Sequence, residues 1–294
     1  MREIILSAGE TPRKLENFLK KQFPIGYVRK LFRKNGIRIN GQRATSGDLI
    51  RSGDRIQLYI PFEPDAVTAK PGKSLHKIDR VFEDDSLLVI NKPAGIAVHE
   101  GKTATKRHSV LGVLETQYRE RGIKPQLVHR VDKDTSGLLL VGKNQQTTME
   151  LESSFETGKV DKEYLSLVVG RLLTNQGKID YPLPGREGKP VRALTHFRVV
   201  KRFSQVTLVR LAIETGRLHQ IRLHFAKLGY PVVMDDQHGD FAFNKRFRRE
   251  YGLKRQFLHA ERLKLNYAGE ARHWTAPLPK DLDETLRLLT AQQS

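Results

Sequence analysis

The chain of 294 residues contains no cysteine. No disulfide can staple it, no thiolate can serve as a nucleophile, and a Cys-ligated zinc is excluded. Long apolar runs are missing too, since none approaches the roughly 18 residues of a membrane-spanning helix. The opening MREIILSAGE has neither the basic start nor the apolar middle of a secretion signal. Neither GxGxxG nor GxxxxGK[ST] occurs, so no glycine loop for a nucleotide is expected. A cytoplasmic, soluble protein is the expectation. Negative charge is also scarce. Against 52 Lys and Arg stand 33 Asp and Glu, a net charge of +19. The excess is spread along the chain, which predicts a polyanionic partner, nucleic acid first and an anionic membrane surface second.

What is present organises into two parts. Residues 1–62 read as a small unit. Thr11 can cap a helix opening at Pro12, and Leu15, Phe18, Leu19 and Phe23 follow helical spacing. A second short helix gathers Val28, Leu31 and Phe32 on one face and turns Arg29, Lys30, Arg33 and Lys34 away from it. Asn35-Gly36 stops it, and IRING and GDRIQLYI alternate like strands. The first sixty residues hold 13 Lys and Arg against 5 Asp and Glu, the highest cationic density in the chain. A solvated helix face and an RNA-contacting face both fit such a run. Residues 63–76 are aperiodic and proline-bearing, and read as a linker. From 77 to 294, strand candidates at 78–82, 87–90, 163–170, 193–200, 205–214 and 256–265 arrive in groups, with helix candidates at about 106–121, 145–157, 218–228 and 280–292. Without regular βαβ alternation, the pattern predicts α+β with a mixed, mostly antiparallel sheet and flanking helices.

The segment LVHRVDKDTSGLLLV (127–141) sets His129, Arg130, Asp132, Lys133 and Asp134 between two apolar runs. Asp, Ser and Gly suit a tight strand connection, so a plain loop is one reading. A carboxylate near a sheet core needs partners, however, and that setting also suits a nucleophile. In ETGRLHQIRLHFAKLGYP (214–231) a Thr-Gly turn leads from a strand into a basic helix carrying Arg217, His219, Arg222 and His224. Free N–H groups at such a start can face a phosphate, and an exposed basic helix is the plainer alternative. His219 and His224 are five apart without an intervening Glu, which does not suit zinc, so no metal is expected. In DKEYLSLVVG (161–170), Lys162 and Tyr164 enter a strand, where Tyr ordinarily packs. His259 in FLHAERL (257–263) reads as a satisfied core histidine.

In their order along the chain, VFEDDSLLVINKPAG, HRVDKDTSGLLLV, KEYLSLVVG, GKPVRALT, TGRLHQIRLH, DDQHGD and FLHAERL resemble the RluA-type pseudouridine synthases. His129 at the head of the second motif favours that type over branches that begin it with Gly-Arg. The two short helices and RKLFRKNGIRINGQ resemble an S4 RNA-binding domain, although KLENFL stands where an Arg-Leu-Asp start is common. With MDDQHGDFAFN (234–244), the chain looks like the RluC branch, which modifies large-subunit ribosomal RNA. Val131 replaces the usual Leu, and His238 the usual Tyr. The resemblance implies a two-domain isomerase needing no cofactor. Asp132 would be its nucleophile, Arg222 would pair with that carboxylate, and Tyr164 would stack on the uracil and help remove the C5 proton. Arg130 would enter the RNA stack, while Lys162, Arg217 and His219 would hold phosphates or the pocket wall. The implied partner is 23S rRNA or a pre-ribosomal particle, met by a monomer. A synthase acting on tRNA, a non-catalytic ribosome-associated RNA-binding protein and a nucleic-acid hydrolase remain as alternatives.

Overall fold

In the computed structural model, residues 2–6, 12–23, 25–59, 78–100, 109–185 and 189–293 are described, and the chain divides into two units, Met1–Lys73 and Ser74–Ser294. The first comprises β1 (Arg2–Ile5), β2 (Arg13–Lys14), α1 (Leu15–Gln22), α2 (Ile25–Arg33), β3 (Ile37–Ile39), β4 (Gln42–Arg43), β5 (Leu49–Ile50) and β6 (Arg55–Leu58). Leu15, Phe18, Leu19, Phe23, Val28 and Leu31 close over Ile37, Ile50, Ile56 and Leu58 to make its core. Helix α1 begins at Leu15, three residues later than Pro12. Arg13 and Lys14 pair instead with Ile50 and Leu49 as a strand, and this pairing holds the backbone extended up to the helix. Asn40 and Gly41 adopt left-handed geometry at the β3–β4 turn, as an Asn-Gly hairpin requires. Arg33 and Lys34 are exposed. Thr11, the linker 63–76, residues 106–108 and the side chains of Arg29 and Lys30 lie outside the described residues.

The second unit runs β7 (Asp79–Glu83), β8 (Leu87–Lys92), α3 (Val110–Tyr118), β9 (Gln126–Leu127), β10 (Ser136–Gly142), α4 (Gln145–Glu156), β11 (Asp161–Val169), β12 (Gln176–Asp180), β13 (Leu183–Pro184), β14 (Pro190–Val191), β15 (Leu194–Arg202), β16 (Val206–Ile213), α5 (Gln220–Lys227), α6 (Phe241–Tyr251), β17 (Leu258–Tyr267), β18 (Glu270–Thr275) and α7 (Lys280–Ala291). Among the described residues one ten-stranded sheet dominates, ordered β12-β15-β16-β11-β17-β10-β8-β7, with β18 on β17 and β9 on β10. The α+β, mostly antiparallel expectation holds. Strand periodicity explains the layering, because successive side chains face opposite ways. Leu139 and Val141 of β10 meet α3 through Val110, Val113 and Leu114, while Leu138 and Leu140 join Leu151 of α4. On β11, Tyr164 and Val168 face Ile221 and Phe225 of α5, and Leu165 and Leu167 face Phe243 and Phe247 of α6. A fully buried aliphatic side chain of this kind contributes about 1.5–3 kcal/mol.

One junction is unlike the rest. β10 and β17 run parallel and share two register pairs, Ser136↔His259 and Gly137↔Ala260, whereas every other pairing of named strands is antiparallel. Gly137 lies at φ +111°, and a Cβ there would sit 2.2 Å from the Ala260 carbonyl oxygen. Only glycine lets the two backbones come this close. Helix α6 stands outside the helix candidates read from the sequence. Asp240 caps it by accepting the Phe243 N–H, and Phe243, Phe247 and Tyr251 supply its inner face.

Candidate active site

The HRVDKDT segment does connect two paired strands, β9 and β10. Its backbone carbonyls from Asp132 to Asp134 are each held by a donor. Thr135 donates its N–H to the Asp132 carbonyl, and Lys92 Nζ and the Gly95 N–H both reach the Lys133 carbonyl at 2.9 Å. The Asp134 carbonyl accepts from Arg255, and Gln256 donates to the Thr135 hydroxyl. Lys92 has no exposed surface. Its ammonium also donates to the Pro93 and Ile96 carbonyls, so three acceptors surround three protons. Burial first, and Arg255 after it, pull Lys92 down to about 7 against the raising influence of Asp134 and Asp132.

At the segment's head, His129 stacks on Phe155 with ring centroids 4.3 Å apart and accepts the Leu140 N–H through Nε2. Burial, then the neighbouring Lys162, push this imidazole down to about 3, so it is neutral and serves as a fixed acceptor. Lys162 is itself buried, 5.5 Å over the Phe155 ring, and burial lowers its pKa.

Asp132 meets α5 across the sheet. Arg222 Nη1 donates to its Oδ2 at 3.0 Å. The same guanidinium forks onto Asp235, Nε to Oδ2 and Nη2 to Oδ1, both at 2.7 Å. Arg222 is 3% and Asp235 1% exposed. Burial opposes both charges, yet the carboxylates raise Arg222, and Arg222 with the N–H groups of His238 and Gln237 lowers Asp235. Arg222 is therefore a fixed cation, oriented by one carboxylate and presented to another. Its position depends on strained backbone. Met234, just before Asp235, lies at φ +63°, and His219, at the N-cap of α5, lies at φ +53°. Such geometry persists only where surrounding contacts fix it. Asn244 does so for Met234, accepting its N–H.

His219 Nε2 stands 3.8 Å from Asp132 Oδ1, and its Nδ1 is 3.1 Å from His238 Nε2. Burial dominates in lowering the His219 pKa, aided by Arg222 and His238 and opposed by Asp132. Tyr164 is buried beside this cluster, and burial first, then the charge of Asp132, raise its hydroxyl far above the ordinary range. A cleft of about 400 Å³ opens over the group, walled by Arg130, Val131, Asp132, Lys133, His219, Arg222, Asp236 and Gln256 among others. That volume falls within the roughly 300–1,000 Å³ of small-ligand sites.

The structure thus brings Asp132, Arg222, His219 and Arg130 to one cleft, with Tyr164 packed behind. Lys162 and Arg217 do not line it. Arg217 is exposed at the turn before α5, where its N–H is taken by Gln220 Oε1, so the anticipated anion-facing amide is occupied from within. Both ring nitrogens of His224 are engaged, by the Thr195 hydroxyl and the Tyr181 carbonyl, which leaves none for a metal. His259 is a satisfied core histidine between Ser136 and the Ala276 carbonyl. Sequence reasoning gives neither Asp235 nor Lys92 a role. The signal for Asp235 is DDQHGD, which follows the basic helix after seven residues and serves in the sequence only as a mark of relationship.

The RNA pseudouridylate synthase family model matches residues 86–227. Ribosomal large subunit pseudouridine synthase C of Salmonella typhi is 33% identical, covering 98% of this chain and 97% of its own, and that of Escherichia coli (strain K12) is 32% identical over 97% and 96%. In fold the chain resembles Human RNA Pseudouridylate Synthase Domain Containing 4, with a TM-score of 0.62 at 23% identity over 72% of this chain and 93% of that one. The chain belongs to the RNA pseudouridine synthases, of the RluA type and its RluC branch. It is an isomerase that converts uridine in RNA to pseudouridine.

Proposed function

We propose that the protein modifies uridines of 23S ribosomal RNA in the cytoplasm, acting as a monomer with Asp132 as nucleophile. The observation that carries this reading is the Asp132–Arg222–Asp235 chain at the floor of the cleft. The guanidinium holds one Asp132 oxygen and leaves the other turned to the open side, near His219. Attack by that oxygen on the ribose C1′ breaks the C1′–N1 bond and frees the uracil, which turns and bonds to C1′ through C5 as the carboxylate leaves. Elimination at the ribose to a glycal is the competing route. Tyr164, buried under the cleft, stacks on the detached base and assists loss of the C5 proton. A uridine inside folded RNA must first leave its stack, at a cost of a few kcal/mol. Arg130, exposed at the rim, takes the vacated place. Lys162 and Arg217 act at second hand in this reading, one under the wall and one on the turn leading to it. The first unit is an S4-type RNA-binding domain whose Arg29, Lys30, Arg33 and Lys34 supply phosphate contacts, and the boundary lies in 63–76. The similarity to enzymes named for the large ribosomal subunit supports that substrate over tRNA.

Incubation of the protein with 23S rRNA carrying tritium at uridine C5 tests this. Release of label without strand cleavage is expected. Asp132→Asn should lower the release on the order of 10⁴-fold or more while RNA affinity stays within a few fold. Label released at the normal rate by that variant removes Asp132 from its role. Cleaved strands would point to a hydrolase.

A further inference from the structure

Helix α6 carries a face for which its fold has no use. Phe243, Asn244 and Phe247 point inward. Phe241 is 62% exposed, and Lys245, Arg248 and Arg249 are exposed with it. At 100° per residue, positions i, i+4, i+7 and i+8 fall on one stripe, so these four side chains share a single line on the solvent side. The stripe is roughly 12 Å long, enough to follow several phosphates of one strand. Glu250, the acidic residue of the helix, is on the opposite side. Among the described residues none of the three cations is ion-paired with a carboxylate. Arg272, with Glu270, and Arg287, with Asp283, show the alternative of an exposed cation neutralised by a neighbour; what sets the α6 cations apart is their alignment with an exposed aromatic on one stripe.

The helix is also locked to the catalytic cluster. Asn244 accepts the Met234 N–H at 2.8 Å and donates to the Asp235 carbonyl at 2.9 Å. A Cβ on Gly239 would lie 2.3 Å from that same carbonyl oxygen, so the loop and the helix start are in direct contact. Asp235 in turn grips Arg222. Whatever docks on α6 is thereby held in fixed register with Asp132.

We propose that the outer face of α6 is the docking surface for an unpaired RNA strand flanking the target uridine, with a base stacked on Phe241 and phosphates along Lys245, Arg248 and Arg249. An aromatic beside a row of cations is the pairing that single strands use, since any base offers a flat face and any backbone offers charge. A duplex could satisfy the cations alone. The inference rests on the assignment as an RNA-modifying enzyme and goes beyond it in naming where the strand lies.

The test measures binding of the full chain to a labelled oligouridylate across a KCl series. Lys245→Ala/Arg248→Ala/Arg249→Ala should weaken binding roughly 30-fold and reduce the log–log salt slope by about 2, near 0.7 for each phosphate no longer neutralised. Phe241→Ala should weaken it roughly ten-fold with the slope unmoved. As a charge-matched control, Lys178→Ala/Arg198→Ala/Lys264→Ala removes the same charge from the sheet. An equal loss in this control would show a general field effect and overturn the proposal. So would an unchanged slope in the α6 variant, or an equal loss of affinity for duplex RNA. All these positions are exposed, and a retained thermal midpoint confirms folding. Tritium release by the unaltered chain separates the two ideas: its absence sinks the enzyme reading, whereas release with an inert α6 sinks only this surface.

Discussion

Arg222, Lys92 and Lys162 have almost no contact with water, while Lys245, Arg248 and Arg249 of α6 and Arg33 and Lys34 of the first unit stand in it. The buried group is bonded to named acceptors or laid over a ring: two carboxylates for Arg222, three carbonyls for Lys92, Phe155 for Lys162. Among the described residues the exposed group has no such commitments. Burial turns a cation into a fixture, because an unpaired charge away from water is too costly to keep. Exposure leaves it free to exchange counterions for phosphates. One kind of side chain therefore builds geometry in one place and affinity in another, and the two uses respond to different perturbations.

The contrast can be broken most sharply at Arg222. Arg222→Met strands Asp235 without its fork and should cost about 3–5 kcal/mol in urea unfolding, with turnover abolished and the salt slope of RNA binding unmoved. Lys92→Met comes next. With its folded pKa near 7 and its unfolded value at the ordinary lysine level, the unfolded chain binds more protons between them, so the wild type gains stability as pH rises through that window. The gap between wild type and Lys92→Met should widen from pH 7 to pH 9, and parallel curves would contradict the burial. His129 works in the acid range. Its folded pKa near 3 lies below the unfolded value, so its stabilisation is complete above about 6.5 and is lost as pH falls toward 3. His129→Gln should flatten that acid arm and cost about 1–2 kcal/mol at neutral pH through the Leu140 N–H. At the small end, Arg33→Ala/Lys34→Ala should leave stability within about 0.5 kcal/mol and lower only the salt slope, by about 1.4. A stability loss as large as that of Arg222→Met would erase the distinction.

The sequence reveals residue types more readily than their partners. Strand β11 and helix α4 fall on the candidates 163–170 and 145–157, whereas α6, though capped by Asp240, goes unread. Asp132 is conspicuous as a carboxylate set between apolar runs. That its guanidinium partner lies ninety positions away comes from family resemblance, because local periodicity carries no information about which strands meet. Asp235 escapes notice for the same reason. The resemblance gives Lys162 phosphates or the pocket wall to hold, and nothing in DKEYL tells that Phe155 folds under it. Thr11-Pro12 has the form of a helix start, yet pairing of Arg13 and Lys14 with a distant strand overrides it.

The crossing at Gly137 has a larger consequence than its own tight fit. Strands β12, β15, β16, β11 and β17 lie on one side of it and β10, β8 and β7 on the other. Asp132 precedes β10, whereas Arg222 and Tyr164 belong to the opposite half, so the proposed reaction centre is assembled astride a joint two residues long. A side chain at position 137 would wedge the two backbones apart and move Asp132, the proposed nucleophile, from its guanidinium. The same wedge would strain the core that Leu138 and Leu140 share with Leu263 and Leu265 across the joint, so stability and geometry would fall together.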